Sequence, residues 1–240
     1  MIGWGAPRAP RSPDPRPRVA VVHDYFTQRG GAELVAARMA SLFHGARTYA
    51  SLVDADVLPE SLASSGVRTS LLQPLRRAGI PLAAFAPVLP GAFGAMRLGD
   101  AEVVVSSSAA FAHHVRTPRG AAHICYCHTP PRFLWQVDEY FRDRSLLRAL
   151  GAGPLALLRQ WDASAARRAD VYVANSNFTA ERIRRTYGRE PIVVYPPIEV
   201  DRFEPTTARS GRFLIVARLR PHKRIDLAIR AVNALRAPLD

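Results

Sequence analysis

"RVAVVHDYFTQRGGAELVAARMASLF" (Arg18–Phe43) decides the fold. Its first nine residues, Arg18–Phe26, are an apolar run rich in β-formers. Gly30 and Gly31 interrupt it. Gly30–Phe43 then places Leu34, Val35, Met39 and Leu42 at helical spacing. A strand, a glycine turn and a helix form one unit, and the same succession returns along the chain. Further strands are expected at Arg47–Leu52, Val67–Ser70, Val103–Ser106, His123–Cys127, Val171–Ala174 and Ile192–Tyr195, and helices at Leu146–Ala169 and Thr179–Thr186. Strands alternating with helices predict an α/β domain whose parallel sheet is covered on both faces.

The texture changes at "VVYPPIEVDRFEP" (Val193–Pro205), where prolines cannot continue a central strand and acidic residues suit an exposed crossing. Phe213–Ala217 then opens a new strand, turn and helix. The expected organisation is a Pro/Arg-rich disordered leader over 1–17, a Rossmann-like domain over 18–206, and the first β–α unit of an incomplete second Rossmann-like domain over 207–240. A lone β–α unit cannot bury its own apolar face, so this one is expected to be poorly ordered or docked on the first domain.

Hydrophobic content of 48% supports a sizeable core, but 33 Lys+Arg against 20 Asp+Glu leave a net charge of +13. Such a surplus fits an anionic partner such as acidic lipid or a phosphorylated substrate, and equally a bias toward Arg throughout the chain. No recognition module or interleaved aromatic stripe supports a nucleic-acid binder. Two cysteines, Cys125 and Cys127, make no disulfide framework, and the leader lacks the apolar core of a signal peptide. Both observations suit a reduced, cytoplasmic protein. Gly79–Met96 is uncharged for eighteen residues, but its three prolines and three glycines argue against a spanning helix. A loop with short helices is expected there, buried in the protein or resting on a membrane surface.

Several positions could carry chemistry. Gly30 and Gly31 would let a backbone approach an anionic ligand at a helix start, although a plain tight turn uses the same residues. They do not form the glycine fingerprint of a dinucleotide site. "ICYCHTPPRFLW" (Ile124–Trp135) brings His128 to the carboxyl end of a strand, where ligands collect in open α/β sheets. Cys125 and Cys127 alternate onto one strand face as core, and no second ligand pair supports zinc. His113 and His114 read as surface or loop residues. Asn175 and Ser176 lie just past another strand, with Asn177 or Thr179 expected to cap the next helix. Arg182, Arg184 and Arg185 read as a solvated helix face. Arg218 and Lys223 bracket the turn after Phe213–Ala217, where a bidentate guanidinium, a point charge and a helix start would cradle a diphosphate; a basic surface turn would look the same.

In this order, "HDYFTQRGGAE", "VVVSSSAAFAHHV", "ICYCHTPPRFLW", "VANSNFTAERIRRTYGRE", "VVYPPIEVDRF" and "VARLRPHKRIDLAIRAVN" resemble the family 4 retaining glycosyltransferases. The similarity points to the branch of mannosyl and related transferases of surface polysaccharide assembly. It implies a GT-B fold, two Rossmann-like domains around a cleft, with acceptor largely on the first and nucleotide sugar on the second. By this resemblance Gly30 and Gly31 match the loop approaching donor phosphates and acceptor, and His128 the histidine facing the transferred sugar. Arg218 and Lys223 match the basic pair that neutralises the diphosphate without a metal, and Asn175 and Ser176 are substrate-side candidates. The implied donor is GDP-mannose or a similar nucleotide sugar; the implied acceptor is lipid-linked or a polysaccharide, at an anionic inner-membrane surface. The family's later Glu-x7-Glu pair has no counterpart after Arg218, so about half of the cleft is expected here. The alternative is a non-catalytic acceptor- or membrane-binding module acting with a separately encoded donor domain.

Overall fold

The computed structural model describes residues 16–137, 152–204, 211–217, 219 and 223–235. Seven strands form one sheet: β1 (Val19–His23), β2 (Arg47–Ala50), β3 (Val67–Thr69), β4 (Val103–Ser108), β5 (Ala122–Cys127), β6 (Val171–Ala174) and β7 (Ile192–Val193). Their order is β3-β2-β1-β4-β5-β6-β7 and every pairing is parallel. The helices are α1 (Gly31–Leu42), α2 (Glu60–Ala63), α3 (Gln73–Arg77), α4 (Leu89–Gly94), α5 (Arg132–Trp135), α6 (Ala152–Ala166), α7 (Asn177–Tyr187) and α8 (Ile225–Ala234). This is the Rossmann-like α/β sheet expected from the alternation. The leader to residue 15 and the first part of the helix expected at Leu146–Ala169 lie outside the described residues.

Burial explains why the central strands read as continuous apolar runs rather than alternating ones. Ala20 and Val22 of β1 pack with Leu52, Phe93, Val104 and Phe111. Val19 and Val21 face the other way, onto Val105, Met39 and Phe43. Cys125 and Cys127 share one face of β5 with Tyr172, Ala174 and Ile183, as their spacing predicts. Burial pushes the Cys125 thiol up to about 12 and raises Cys127 well above the ordinary range, so both are core groups.

The uncharged segment Gly79–Met96 is buried in part, through Phe85, Leu89, Pro90 and Phe93, while Val88 is exposed. It forms a 3₁₀ turn at Leu82–Phe85 followed by α4, and Phe85, Leu89 and Phe93 enter the main core beside Phe111 and Leu98. Among the described residues no helix is long and apolar enough to cross a membrane.

Strand order reverses between β1 and β4, so the chain leaves these two adjacent strands in opposite directions and opens a crevice at their carboxyl ends. Asp24, the residue after β1, closes the base of it. Its buried carboxylate accepts the backbone N–H groups of Ala109, Ala110, Phe111 and Ala112, the last three at 2.7–2.9 Å. These donors follow β4 and lead into a 3₁₀ turn at Ala112–His114. The Asp24 carbonyl oxygen accepts from the Ser51 N–H at 3.0 Å and from the Ser51 hydroxyl, just past β2. One residue thereby ties three strand ends.

The crossing after β7 is exposed, as its prolines and acids predict, and the boundary expected at Pro205–Gly211 lies mostly outside the described residues. Of the strand expected at Phe213–Ala217, Phe213 forms a single bridge and Leu214–Ala217 form no strand; Leu214 and Val216 are exposed. A strand needs a neighbour for its backbone groups, and none among the described residues serves this one. The helix of the expected β–α unit is present as α8, with Val232 buried.

Replacing Asp24 by Ala should destabilise the domain by about 3–5 kcal/mol, because four N–H groups lose a charged acceptor inside the protein. Asp24→Asn, which keeps one acceptor oxygen, should lose less. Urea midpoints at an unchanged m-value check this; equal midpoints for Asp24→Ala and the parent would refute it.

Candidate functional site at the carboxyl edge of the sheet

Gly30 ends the loop after β1 in an extended conformation (φ −143°) and caps α1 without a side chain. Glu33, buried in the first turn of α1, folds back over Gly30, so a Cβ at position 30 would push its Oε2 aside. Glu33 Oε1 accepts from Gln28 Nε2 at 2.9 Å. A carboxylate therefore already complements the positive end of this helix. A Cβ at Gly31 would meet nothing within 4 Å, so the open approach lies at the second glycine.

His128 leaves β5 at the same edge, where its N–H bonds the Ser108 carbonyl at 2.8 Å. Its Nε2 lies 2.8 Å from Ser107 Oγ on β4. Ser107 in turn meets His23, the last residue of β1, whose Nδ1 is 3.0 Å from Oγ and 3.1 Å from the Ser107 carbonyl oxygen. The two imidazoles stand edge to face, centroids 6.4 Å apart. Burial lowers both to about 4, so both are neutral at pH 7. Sequence reasoning singled out His128 but missed His23 and Ser107. The available signal was that His23, too, closes an apolar strand; Ser107 has meaning only once β1 and β4 are adjacent.

Asn175 and Ser176 follow β6. Ser176, rather than Asn177 or Thr179, caps α7, its Oγ accepting the Thr179 N–H at 3.2 Å and donating to Asn175 Oδ1 at 3.0 Å. Thr179 Oγ1 donates to the His128 carbonyl at 3.2 Å, so the cap also holds the β5 loop. Gly188 ends α7 in the left-handed region (φ 63°) that its missing Cβ permits. Arg184 and Arg185 pair with Glu190 and Glu181 on the solvated face, as expected. Arg218 lies outside the described residues. Lys223 is exposed just before α8, and Arg224, the N-cap, has φ 51°, an unusual value for a side chain of its size.

His113 and His114 are not surface residues; they are buried against Asp162 of α6. Asp162 Oδ1 lies 3.0 Å from both Nε2 atoms, and Oδ2 accepts from Trp135 Nε1 at 2.6 Å and Tyr187 Oη at 2.8 Å. Sequence spacing could not show this, because the acid lies 48 residues beyond His114. Burial would raise the Asp162 carboxyl, but the charge of His113 and the hydrogen bonds from the two histidines and Trp135 outweigh it and hold the carboxyl below its usual range. The three side chains have metal-ligand chemistry. At 3.0 Å the Nε2 atoms touch the carboxylate directly, and both its oxygens are engaged, so the cluster works as a polar anchor between α5, α6 and α7.

Acid should weaken the fold through four histidines. Burial first lowers His23, His114, His123 and His128 from 6.5 to about 4. The unfolded chain then binds protons that the folded chain refuses, so stability falls as pH drops from 6.5 to 4 and levels off below. The limit is on the order of 3 kcal/mol for each histidine. Denaturant titrations from pH 7.5 to pH 4 measure it; a flat profile would contradict the buried neutral state.

No curated protein matches the chain. Among solved structures it is similar to the lipopolysaccharide outer core galactosyltransferase WaaB in its apo form, at 14% identity and a TM-score of 0.43. That match covers 85% of this chain and 53% of the other, so the chain spans about half the length of that transferase. The family model of Glycosyltransferase Family 4 matches residues 29–202, taking in both loop glycines, strands β2 to β7, and His128 with Asn175 and Ser176. Matched over most of its length, the chain belongs to glycosyltransferase family 4.

Proposed function

We propose that this chain supplies the acceptor-side half of a retaining transferase that moves a sugar, mannose in our reading, from a nucleotide-diphosphate donor such as GDP-mannose to a lipid-linked or polysaccharide acceptor. The observation that supports it most directly is His128: a neutral imidazole at the carboxyl edge, next to the switch point of a family 4 sheet. In this reading His128 faces the transferred sugar, Gly31 gives the open approach beside it, and Asn175 and Ser176 shape the wall after β6. Arg218 and Lys223 neutralise the diphosphate as the glycosidic bond breaks, so no metal is needed. The leaving phosphate helps to accept the acceptor's proton on the same face of the sugar. A hollow of about 550 Å³ beyond β2 and β3, lined in part by Asp54, Asp56, Gln73 and Arg76, gives an acceptor room on the same edge. The net charge of +13 suits a site at an anionic membrane surface on the cytoplasmic side.

Titration of the chain with GDP-mannose, and with UDP-sugars as competitors, tests the donor. Binding should weaken about 10-fold or more when Arg218 and Lys223 are both changed to Ala. Where transfer to a polyprenyl-diphosphate-linked acceptor is measured, His128→Ala should lower kcat about 100-fold with little change in KM, and the product should keep the donor's anomeric configuration. Binding of acceptor with no nucleotide sugar bound under any condition would reject the transferase half in favour of the non-catalytic module.

A further inference from the structure

His23, Ser107 and His128 form a chain of hydrogen bonds whose direction follows from one constraint. His23 Nδ1 lies 3.1 Å from the Ser107 carbonyl oxygen, and a carbonyl oxygen can only accept. The proton of the neutral His23 ring is therefore on Nδ1, where it is shared with Ser107 Oγ at 3.0 Å. With one lone pair of Oγ taken by that N–H, the hydroxyl proton turns to its other neighbour, His128 Nε2, at 2.8 Å. No other acceptor contacts Ser107 Oγ among the described residues. Nε2 of His128 thus accepts, and a neutral His128 must carry its proton on Nδ1.

The geometry points to Ser107 as a positioning residue: backed by His23, it locks His128 in the Nδ1–H tautomer, so that the ring presents a hydrogen-bond donor to the sugar. This rests on the sugar-transfer reading of the cleft. Its chemical consequence is specific. An Nδ1 that already holds a proton can bind a sugar oxygen but cannot take the acceptor's proton, so His128 is not the general base through that atom. The proton released as the acceptor oxygen bonds to the sugar carbon leaves instead with the departing phosphate, which gains it as the old carbon–oxygen bond breaks.

The test is a long-range ¹H–¹⁵N correlation spectrum of the whole chain labelled in its histidine rings at pH 7, with His128 assigned from the signal missing in His128→Gln. Parent protein should show Nε2 as an unprotonated ring nitrogen and Nδ1 as a protonated one. Ser107→Ala should shift the tautomer ratio about five-fold toward Nε2–H, the worth of one hydrogen bond, and Ser107→Thr, which keeps the hydroxyl, should restore it. A protonated Nε2 in the parent overturns the proposal without any variant, so a Ser107→Ala protein that fails to fold does not shield it. An unchanged ratio in a folded Ser107→Ala overturns it as well. Adding GDP-mannose to the same labelled sample separates the two claims: an Nδ1–H His128 that no nucleotide sugar perturbs would keep the Ser107 lock and sink the sugar reading.

Discussion

Four backbone N–H groups converge on the carboxylate of Asp24, and the crevice of this domain depends on that convergence. A parallel sheet whose order reverses leaves two neighbouring strands to part at their carboxyl ends, with backbone donors bared on one side. An apolar residue at position 24 would leave those donors without partners inside the protein. The carboxylate satisfies them, while its own carbonyl holds Ser51 past β2. The ends of β1, β2 and β4 are then fixed relative to one another, and so is anything projecting from them.

What projects from β4 is three serines in a row, and each holds a histidine. Ser106 meets His123 at 2.9 Å, Ser107 meets His128 and His23, and Ser108 meets His113 at 3.0 Å. Successive strand residues face opposite sides of the sheet, so one short segment serves different environments. Ser108 leads to the carboxylate anchor at Asp162, and Ser107 leads to the open edge. A hydroxyl both donates and accepts through one oxygen, which is why a serine can sit between a ring N–H and a ring lone pair where a carbonyl could not.

The sheet was legible in the sequence because buried parallel strands are short, apolar and β-branched, and these local signals do not depend on the partner strand. His128 was legible for the same reason, as a polar residue closing such a run. Asp24, His23 and Ser107 were not, since their roles come from pairing between segments more than eighty residues apart. His113 and His114 were misjudged on the same ground: a buried imidazole is stabilised by a partner that spacing alone does not reveal. The tail shows the converse. Leu214–Ala217 has a strand's composition, but composition cannot supply the neighbouring strand that makes it one.

Charge and hydrogen bonding divide along the chain in a way that bears on the proposed chemistry. Among the described residues, the carboxyl edge of β1, β4, β5 and β6 offers neutral imidazoles, hydroxyls and an amide, with the Asp24 carboxylate already engaged by four backbone N–H groups, while Glu33 at the α1 start disfavours an added anion there. That edge suits the hydroxyls of a sugar better than a diphosphate. Arg218 and Lys223, the cations that the proposed reading assigns to a diphosphate, follow the crossing that begins after β7. Sugar and phosphate recognition would then sit on opposite sides of that crossing.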